Sequence, residues 1–364
     1  MRSFTSISDV IKRALFLLSG MVAVVVAAEV LLRALPVSTA TNTGYYVSPN
    51  ILNYPPRHEW TMATGWDLRN VQHLRSNNMG FAAEHDFVPG SDAVGLIGDS
   101  YVEASMLPLA DRPAAQLERA LSGRQVYAMG GPGSSLLDYA ERIKWAHQTL
   151  GLKTFVVLME HMDASQTLCD SGNVHARCLS VGTLEPIFSR RPPSGPLKNL
   201  LRESALAQYL NSQLKFSPSR LTSPDFWSSG APPEPEAPPR VATPMDQPPL
   251  SRELRSTADA ALGAFFEQVS TLEDLRVVFV IDMNRRNLET GVRAPDESYH
   301  LAERLRERNQ VVVLGEPLYR EHLRQSPLRI DVGPYDQHFN RLGVALLMNA
   351  AAQALQYSIN AKEN

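Results

Sequence analysis

Two short segments far apart in the chain carry residues whose types and spacing suit acyl chemistry. Gly98-Asp99-Ser100 follows the apolar run 93–97, and Asp336-Gln337-His338 precedes a long, alanine-rich stretch. A serine hydroxyl is a poor nucleophile until a base takes its proton. An imidazole does this best when a carboxylate fixes its tautomer and supports its developing charge. Ser100, His338 and Asp336 match those three roles. A third segment, Gly130-Gly131-Pro132-Gly133-Ser134, follows the run VYAM and offers bare amides to a developing oxyanion. Each segment alone has a plainer reading: a turn with a helix-capping serine, a solvated Asp and His before a helix, and a strand-to-helix turn. What would set them apart is a fold that brings them together.

The intervening pattern predicts such a fold. Short apolar runs at 93–97, 126–129, 154–159, 276–281 and 311–314 read as strands, with helical stretches near 110–121, 135–149, 251–271, 297–308 and 341–356. Unbroken Val/Ile/Leu runs alternating with helices predict an α/β domain, a doubly wound parallel sheet with helices on both faces, over 93–357. Ligands bind such sheets beyond the carboxyl ends of the strands, which is where Ser100 falls. Residues 36–92 lack periodicity and are read as an extended approach segment. An insertion covers about 160–250, and its stretch 217–250 holds ten prolines, so a polyproline-like or mobile character is expected there. No internal repeat is evident.

The chain has 364 residues, 44% of them hydrophobic, which excludes disorder throughout. Thirty-five Lys and Arg against 38 Asp and Glu leave a formal charge of −3 with no basic stripe, so nucleic acid is not an expected partner. Residues 1–13 carry Arg2, Lys12 and Arg13 against Asp9, and 14–28 contain no charge. With the apolar residues beyond Glu29, this predicts one transmembrane helix over 14–35, residues 1–13 in the cytoplasm and the rest outside. The rival reading is a cleaved signal peptide, for which Val26-Ala27-Ala28 has the small residues needed. Either way the globular part meets an oxidising compartment, and Cys169 and Cys178 become a plausible loop-closing disulfide. His175 between them reads as an exposed loop histidine, and two cysteines cannot form a four-cysteine zinc site.

Together these segments resemble the SGNH/GDSL hydrolase superfamily, and more closely its membrane-anchored extracytoplasmic members. The resemblance runs from Leu74 to Leu355, interrupted by the Pro-rich insertion. Leu74-Arg75-Ser76-Asn77-Asn78-Met79-Gly80-Phe81 is similar to the Asn-x-x-Gly-Phe segment of such members, and VGLIGDSYVEA to their Gly-Asp-Ser block. The resemblance implies Ser100 as nucleophile, His338 as base and Asp336 as its partner. It also implies an oxyanion hole from the amides of Ser100 and Gly133. No cofactor and no metal are implied.

Two departures stand out. The Asp lies two residues before the His rather than three, as in the alginate-acetyltransferase-like branch, which points to polysaccharide acyl chemistry. After the third strand, Met162 in Glu160-His161-Met162-Asp163 stands where the family has an oxyanion-hole Asn. A thioether donates no hydrogen bond, and losing one oxyanion donor costs about a hundred- to a thousandfold in rate. Either His161 substitutes, or turnover is slow, or the fold is kept for binding.

The expectation is therefore a periplasmic, inner-membrane-anchored esterase or O-acyltransferase. Its substrate would be an acylated, most simply acetylated, carbohydrate or envelope polymer. The alternative is a non-catalytic binding or assembly subunit of an envelope-polymer export system, with partner proteins in that complex.

Overall fold

The computed structural model describes residues 7–173, 176–190, 195–214, 250–285, 288, 296–333 and 336–363. The expectations for His175 and for the Pro-rich stretch 217–249 lie outside the described residues. The described residues divide into two compact units. The smaller takes residues from 1–41, 60–74 and 193–232, and the larger takes 42–59, 75–192 and 233–364.

In the smaller unit, helix α1 (Ile7–Arg33) contains a stretch, Ile11–Arg33, long and apolar enough to cross a membrane. It stops two residues short of the expected limit, because Pro36 disfavours helical backbone in the residue before it and residues 34–36 form a turn. Strands β3 (Glu59–Thr64) and β4 (Arg69–Arg75) pair in this unit.

The larger unit is built on a five-stranded sheet of β5 (Val94–Gly98), β6 (Val126–Gly130), β7 (Thr154–Met159), β10 (Arg276–Ile281) and β11 (Val311–Leu314). The spatial order is β11-β10-β7-β5-β6, and every pairing is parallel. Numbered along the chain, that is the doubly wound order 2-1-3-4-5, in which the chain reverses direction across the sheet beside the first strand, β5. The strands read as unbroken apolar runs because both faces are covered. Ile97, Met129, Val157, Phe279 and Ile281 pack on one side against α4 (Leu136–Leu150), α7 (Arg252–Val269) and α8 (Ser298–Glu307). Leu96, Ala128, Val156, Leu158 and Val280 pack on the other against α3 (Pro113–Ala120) and α10 (Arg341–Glu363).

The segment expected to be merely extended also forms hairpin β1 (Gly44–Ser48) and β2 (Ile51–Asn53), and Ile51, Phe81 and Phe87 join the core of the larger unit. The insertion carries hairpin β8 (Arg177–Leu179) and β9 (Pro186–Phe188), and Cys178 in β8 is disulfide-bonded to Cys169 with Cα atoms 4.9 Å apart. In the smaller unit the same insertion forms α5 (Pro196–Glu203) and α6 (Ala205–Gln208). One further helix, α9 (Gly315–Gln325), has no clear sequence signature. Its Pro317 sits in the first turn, where proline is tolerated, and only Gly315, Glu316 and Tyr319 are buried.

Candidate active site

β5 ends at Gly98, and the chain turns directly into the one-turn helix α2 (Ser100–Glu103). The helix cap is Asp99, whose carboxylate accepts the Tyr101 amide at 2.8 Å. Capping therefore falls to the aspartate, and the Ser100 hydroxyl is left for other work. The turn is tight enough that a Cβ on Gly130, at the paired end of β6, would lie 2.5 Å from the Glu103 amide nitrogen. Only glycine fits there.

The second segment forms β13 (Asp336–Phe339), paired antiparallel with β12 (Asp331–Gly333). Asn340 fixes its exit. The Asn340 side chain accepts the Leu342 and Gly343 amides at 2.9 and 3.1 Å, opening α10, and donates to the carbonyls of Arg329 and Asp331. This geometry sets His338 against α2. His338 Nε2 lies 2.8 Å from Ser100 Oγ, and His338 Nδ1 lies 2.6 Å from Asp336 Oδ1. The same oxygen accepts the His338 backbone amide at 2.9 Å. The Tyr101 ring tilts against the imidazole with centroids 4.6 Å apart. Residues 236 and more positions apart thus meet in a Ser–His–Asp chain of hydrogen bonds.

Two arginines, Arg142 buried and Arg285 largely so, neither anticipated from sequence, position the two halves. Arg142 on α4 is wholly buried and donates to the Gly98 carbonyl at 2.8 Å and to Ser134 Oγ at 2.9 Å. It thereby joins the end of β5 to the loop after β6. Its sequence signal was an arginine on an apolar helix face, between Tyr139, Ala140 and Ile143. Arg285, just past β10, donates to the Gln337 carbonyl and, at 3.2 Å, to Tyr101 Oη, and its guanidinium lies 4.1 Å from the Phe339 ring centroid. It is paired at 3.4 Å with Asp282, whose Oδ1 accepts the buried Tyr319 hydroxyl at 2.8 Å. Position beyond a strand's carboxyl end was the only cue for Arg285.

The loop after β6 holds Gly133 at φ +72°, a left-handed backbone that favours glycine. The Gly131 amide is already used by the carbonyls of Gly98 and Asp99, at 3.2 Å each. Its amide is thus engaged. Met162, at the position of the expected Asn, is 45% exposed, and its amide donates to Glu160 Oε2 at 2.9 Å. His161 is largely buried, with Nδ1 against the Glu160 carboxylate. Burial opposes its protonation, but the hydrogen bond and charge of Glu160 override this and raise its pKa.

Carboxyl groups crowd this end of the sheet. Burial pushes Asp99 up to about 6, with the charge of Glu160 adding to the shift. Burial likewise raises Asp163, which accepts the Tyr139 hydroxyl and the Glu160 amide, both at 2.9 Å. Among the described residues, no cluster of His, Cys, Asp and Glu has the arrangement to hold a metal ion.

The 2-1-3-4-5 parallel sheet, with Gly-Asp-Ser at the end of its first strand and Asp-x-His before its last helix, is the doubly wound arrangement expected from the sequence. No family model matches the sequence, and no curated protein matches it significantly. Among solved structures, the chain is similar to a G-D-S-L family lipolytic protein from Veillonella parvula. The two are 11% identical, with 72% of this chain and 98% of the other covered and a TM-score of 0.37. A putative lipolytic protein of the same family from Desulfitobacterium hafniense matches at 10% identity over 72% and 99%, TM-score 0.37. An acetyl xylan esterase from Butyrivibrio proteoclasticus matches at 6% identity over 75% and 65%, TM-score 0.31. Likenesses this distant carry no weight for the chemistry, which rests on the residues themselves.

Proposed function

We propose that this protein is an SGNH-type serine esterase or O-acyltransferase acting on acyl esters of a carbohydrate or cell-envelope polymer. The observation that carries the reading is the relay of 2.8 Å from Ser100 Oγ to His338 Nε2 and 2.6 Å from His338 Nδ1 to Asp336 Oδ1. In this reading the Ser100 hydroxyl attacks the ester carbonyl as its proton passes to His338 Nε2. Asp336 supports the imidazolium that forms. The tetrahedral oxyanion meets the amides of Ser100 and Gly133, and collapse expels the alcohol, which takes the proton from His338. The acyl group left on Ser100 passes to water or to a sugar hydroxyl.

The third oxyanion donor in this reading is His161 rather than Met162. Glu160 favours the doubly protonated ring, in which Nδ1–H faces the carboxylate and Nε2–H is a charged donor stronger than an amide. Acetyl is the preferred acyl group, by resemblance to the alginate-acetyltransferase-like branch. The apolar stretch of α1 supports anchoring, with the acyl chemistry on the outer face of the inner membrane.

The test is a burst assay with an activated aryl acetate on the full-length protein in detergent, beside its Ser100→Ala variant. Covalent acetylation of wild type that the variant lacks supports the enzyme. Saturable binding of an acetylated polysaccharide with no acetylation of Ser100 would instead favour the binding or assembly subunit.

A further inference from the structure

Helix α5 in the smaller unit is amphipathic with its apolar face outward. Leu197, Leu200 and Leu201, spaced to share one face, are 70%, 68% and 46% exposed, while Arg202 on the opposite face is half-buried. Three leucines in solvent on an eight-residue helix leave an apolar face without a cover among the described residues of the unit.

The position of that helix says what covers it. Glu29, in the last turns of α1, accepts the Ala205 amide at 3.0 Å, the Leu206 amide at 2.9 Å and the Ser204 hydroxyl at 2.8 Å. It thereby satisfies the first-turn donors of α6, which begins where α5 ends. Arg33 closes the same junction, bonding Glu29 at 2.7 Å and the Glu203 carbonyl at 3.1 Å. At about 1.5 Å of rise per residue, Glu29 to Arg33 spans roughly 6 Å, so the C-terminus of α5 is held within about one turn of the end of α1. That is the depth at which a spanning helix leaves the hydrocarbon. Lys198 flanks the leucine face and suits anionic headgroups there. Trp66, 77% exposed in the β3–β4 turn, belongs to the same unit, with its carbonyl bonded by Tyr209 Oη at 2.9 Å. Tryptophan favours that boundary layer.

We propose that α5 is a second membrane contact, lying in the lipid–water interface of the bilayer that α1 crosses, with Leu197, Leu200 and Leu201 turned into the acyl-chain boundary. The contact rests on α1 spanning, which is tested alongside it. It accounts for an otherwise odd carboxylate near the end of an apolar helix, since Glu29 is the group that ties α5 to the membrane exit.

Because the chain's two cysteines are disulfide-bonded, a single introduced cysteine is the one reactive thiol. Full-length protein carrying a nitroxide at position 197, 200 or 201 is reconstituted in vesicles of phosphatidylcholine and phosphatidylglycerol. Collision rates with lipid-soluble oxygen and with a water-soluble nickel chelate are then measured. The expected result is oxygen collisions exceeding nickel collisions severalfold at all three positions, and the reverse at Asn199 on the opposite face. Nickel-dominated collisions at 197, 200 and 201 would overturn the proposal. So would low rates with both reagents, which mean that protein, such as a second copy of the chain, covers the face. A nitroxide at Val22 reports on α1 separately: a lipid signature there with aqueous leucines sinks only the α5 contact, whereas an aqueous Val22 sinks the spanning helix and the contact with it.

Discussion

Replacing Asp336 by asparagine separates the two things a carboxylate can do for an imidazole. Both bonds from His338, the ring Nδ1–H at 2.6 Å and the backbone amide at 2.9 Å, end on the same oxygen, Oδ1. An asparagine can keep its own Oδ1 there and satisfy both donors, because turning its NH2 inward would leave the backbone amide without an acceptor. The tautomer is then preserved, and what is lost is the negative charge that supports the imidazolium. Opposite charges about 4 Å apart at an effective dielectric of about 20 are worth roughly 4 kcal/mol. Both side chains are about a quarter exposed, so that value is a ceiling. The expected fall in kcat is about thirtyfold to a thousandfold, from roughly 2 to 4 kcal/mol. Asp336→Ala removes both bonds as well and should fall further. The assay is steady-state hydrolysis of an aryl acetate by detergent-solubilised full-length variants, with circular dichroism to check the fold. An asparagine variant as impaired as the alanine variant would refute the retained tautomer. Activity within threefold of wild type would remove Asp336 from the site and leave Asp331, whose Oδ1 is buried without a partner among the described residues, as the next candidate.

Met162→Asn should leave kcat for a simple acetate ester nearly unchanged if His161 fills the oxyanion hole, and His161→Ala should then cost more than Met162→Ala. A gain approaching roughly 3 kcal/mol in transition-state stabilisation in Met162→Asn would instead mean that the hole lacks a third donor. Asp99 has its carboxyl raised from the ordinary 3.8 to about 6, so its contribution to stability is full below about pH 4 and is lost as pH rises through 6, a difference of roughly 3 kcal/mol. Asp99→Asn, which keeps an acceptor for the Tyr101 amide, should therefore raise Tm above pH 6 and leave it unchanged near pH 4; a Tm gain of equal size at both pH values would show that ionisation is not the cause. Joint replacement of Cys169 and Cys178 by serine should destabilise the protein by roughly 2 to 3 kcal/mol, the loop-closure entropy of a bridge nine residues apart, measured by urea denaturation. Two free thiols titrating in the unreduced native protein would contradict the pairing.

The sheet was legible because burial on both faces writes itself into sequence as unbroken apolar runs, and the five strands fall within two residues of those runs. The Ser100 turn and the Asp336–His338 pair were legible because hydroxyl, imidazole and carboxylate are chemically rare together at strand ends. The hairpins in residues 36–75 were not legible, since two-stranded pairs with one face open to water need only a few buried positions, such as Ile51 and Trp60. Helix α9 escaped for a related reason: it packs through Tyr319 with charged residues on either side, so its pattern resembles a loop. The role of Asp99 was hidden as well, because a serine at a helix start reads as the cap when the neighbouring aspartate holds that position in space.

Arg142 and Arg285 show why the sequence could name the candidate Ser–His–Asp residues but not what aligns them. Ser100 stands on a one-turn helix and His338 on a four-residue strand, elements too short to hold a side chain within a few tenths of an ångström on their own. Each is fixed by a guanidinium bonded to main-chain carbonyls, Gly98 on the serine side and Gln337 on the histidine side. Main-chain carbonyls leave no trace in sequence, so the bond that ties each arginine to the site was not recognisable there. Arg142 also reaches Ser134 Oγ and Arg285 also reaches Tyr101 Oη, so each arginine spans two elements, which a planar fork of five donors can do and a lysine ammonium cannot reproduce in the same directions. Arg285→Lys should accordingly keep the charge beside Asp282 and much of the stability, yet lower kcat for the aryl acetate with KM little changed, because the Gln337 carbonyl and with it the His338 ring lose their fixed position. A proportional loss of kcat and stability would assign Arg285 to folding alone, whereas a kcat loss at unchanged Tm would mark it as the residue that sets the base against the nucleophile.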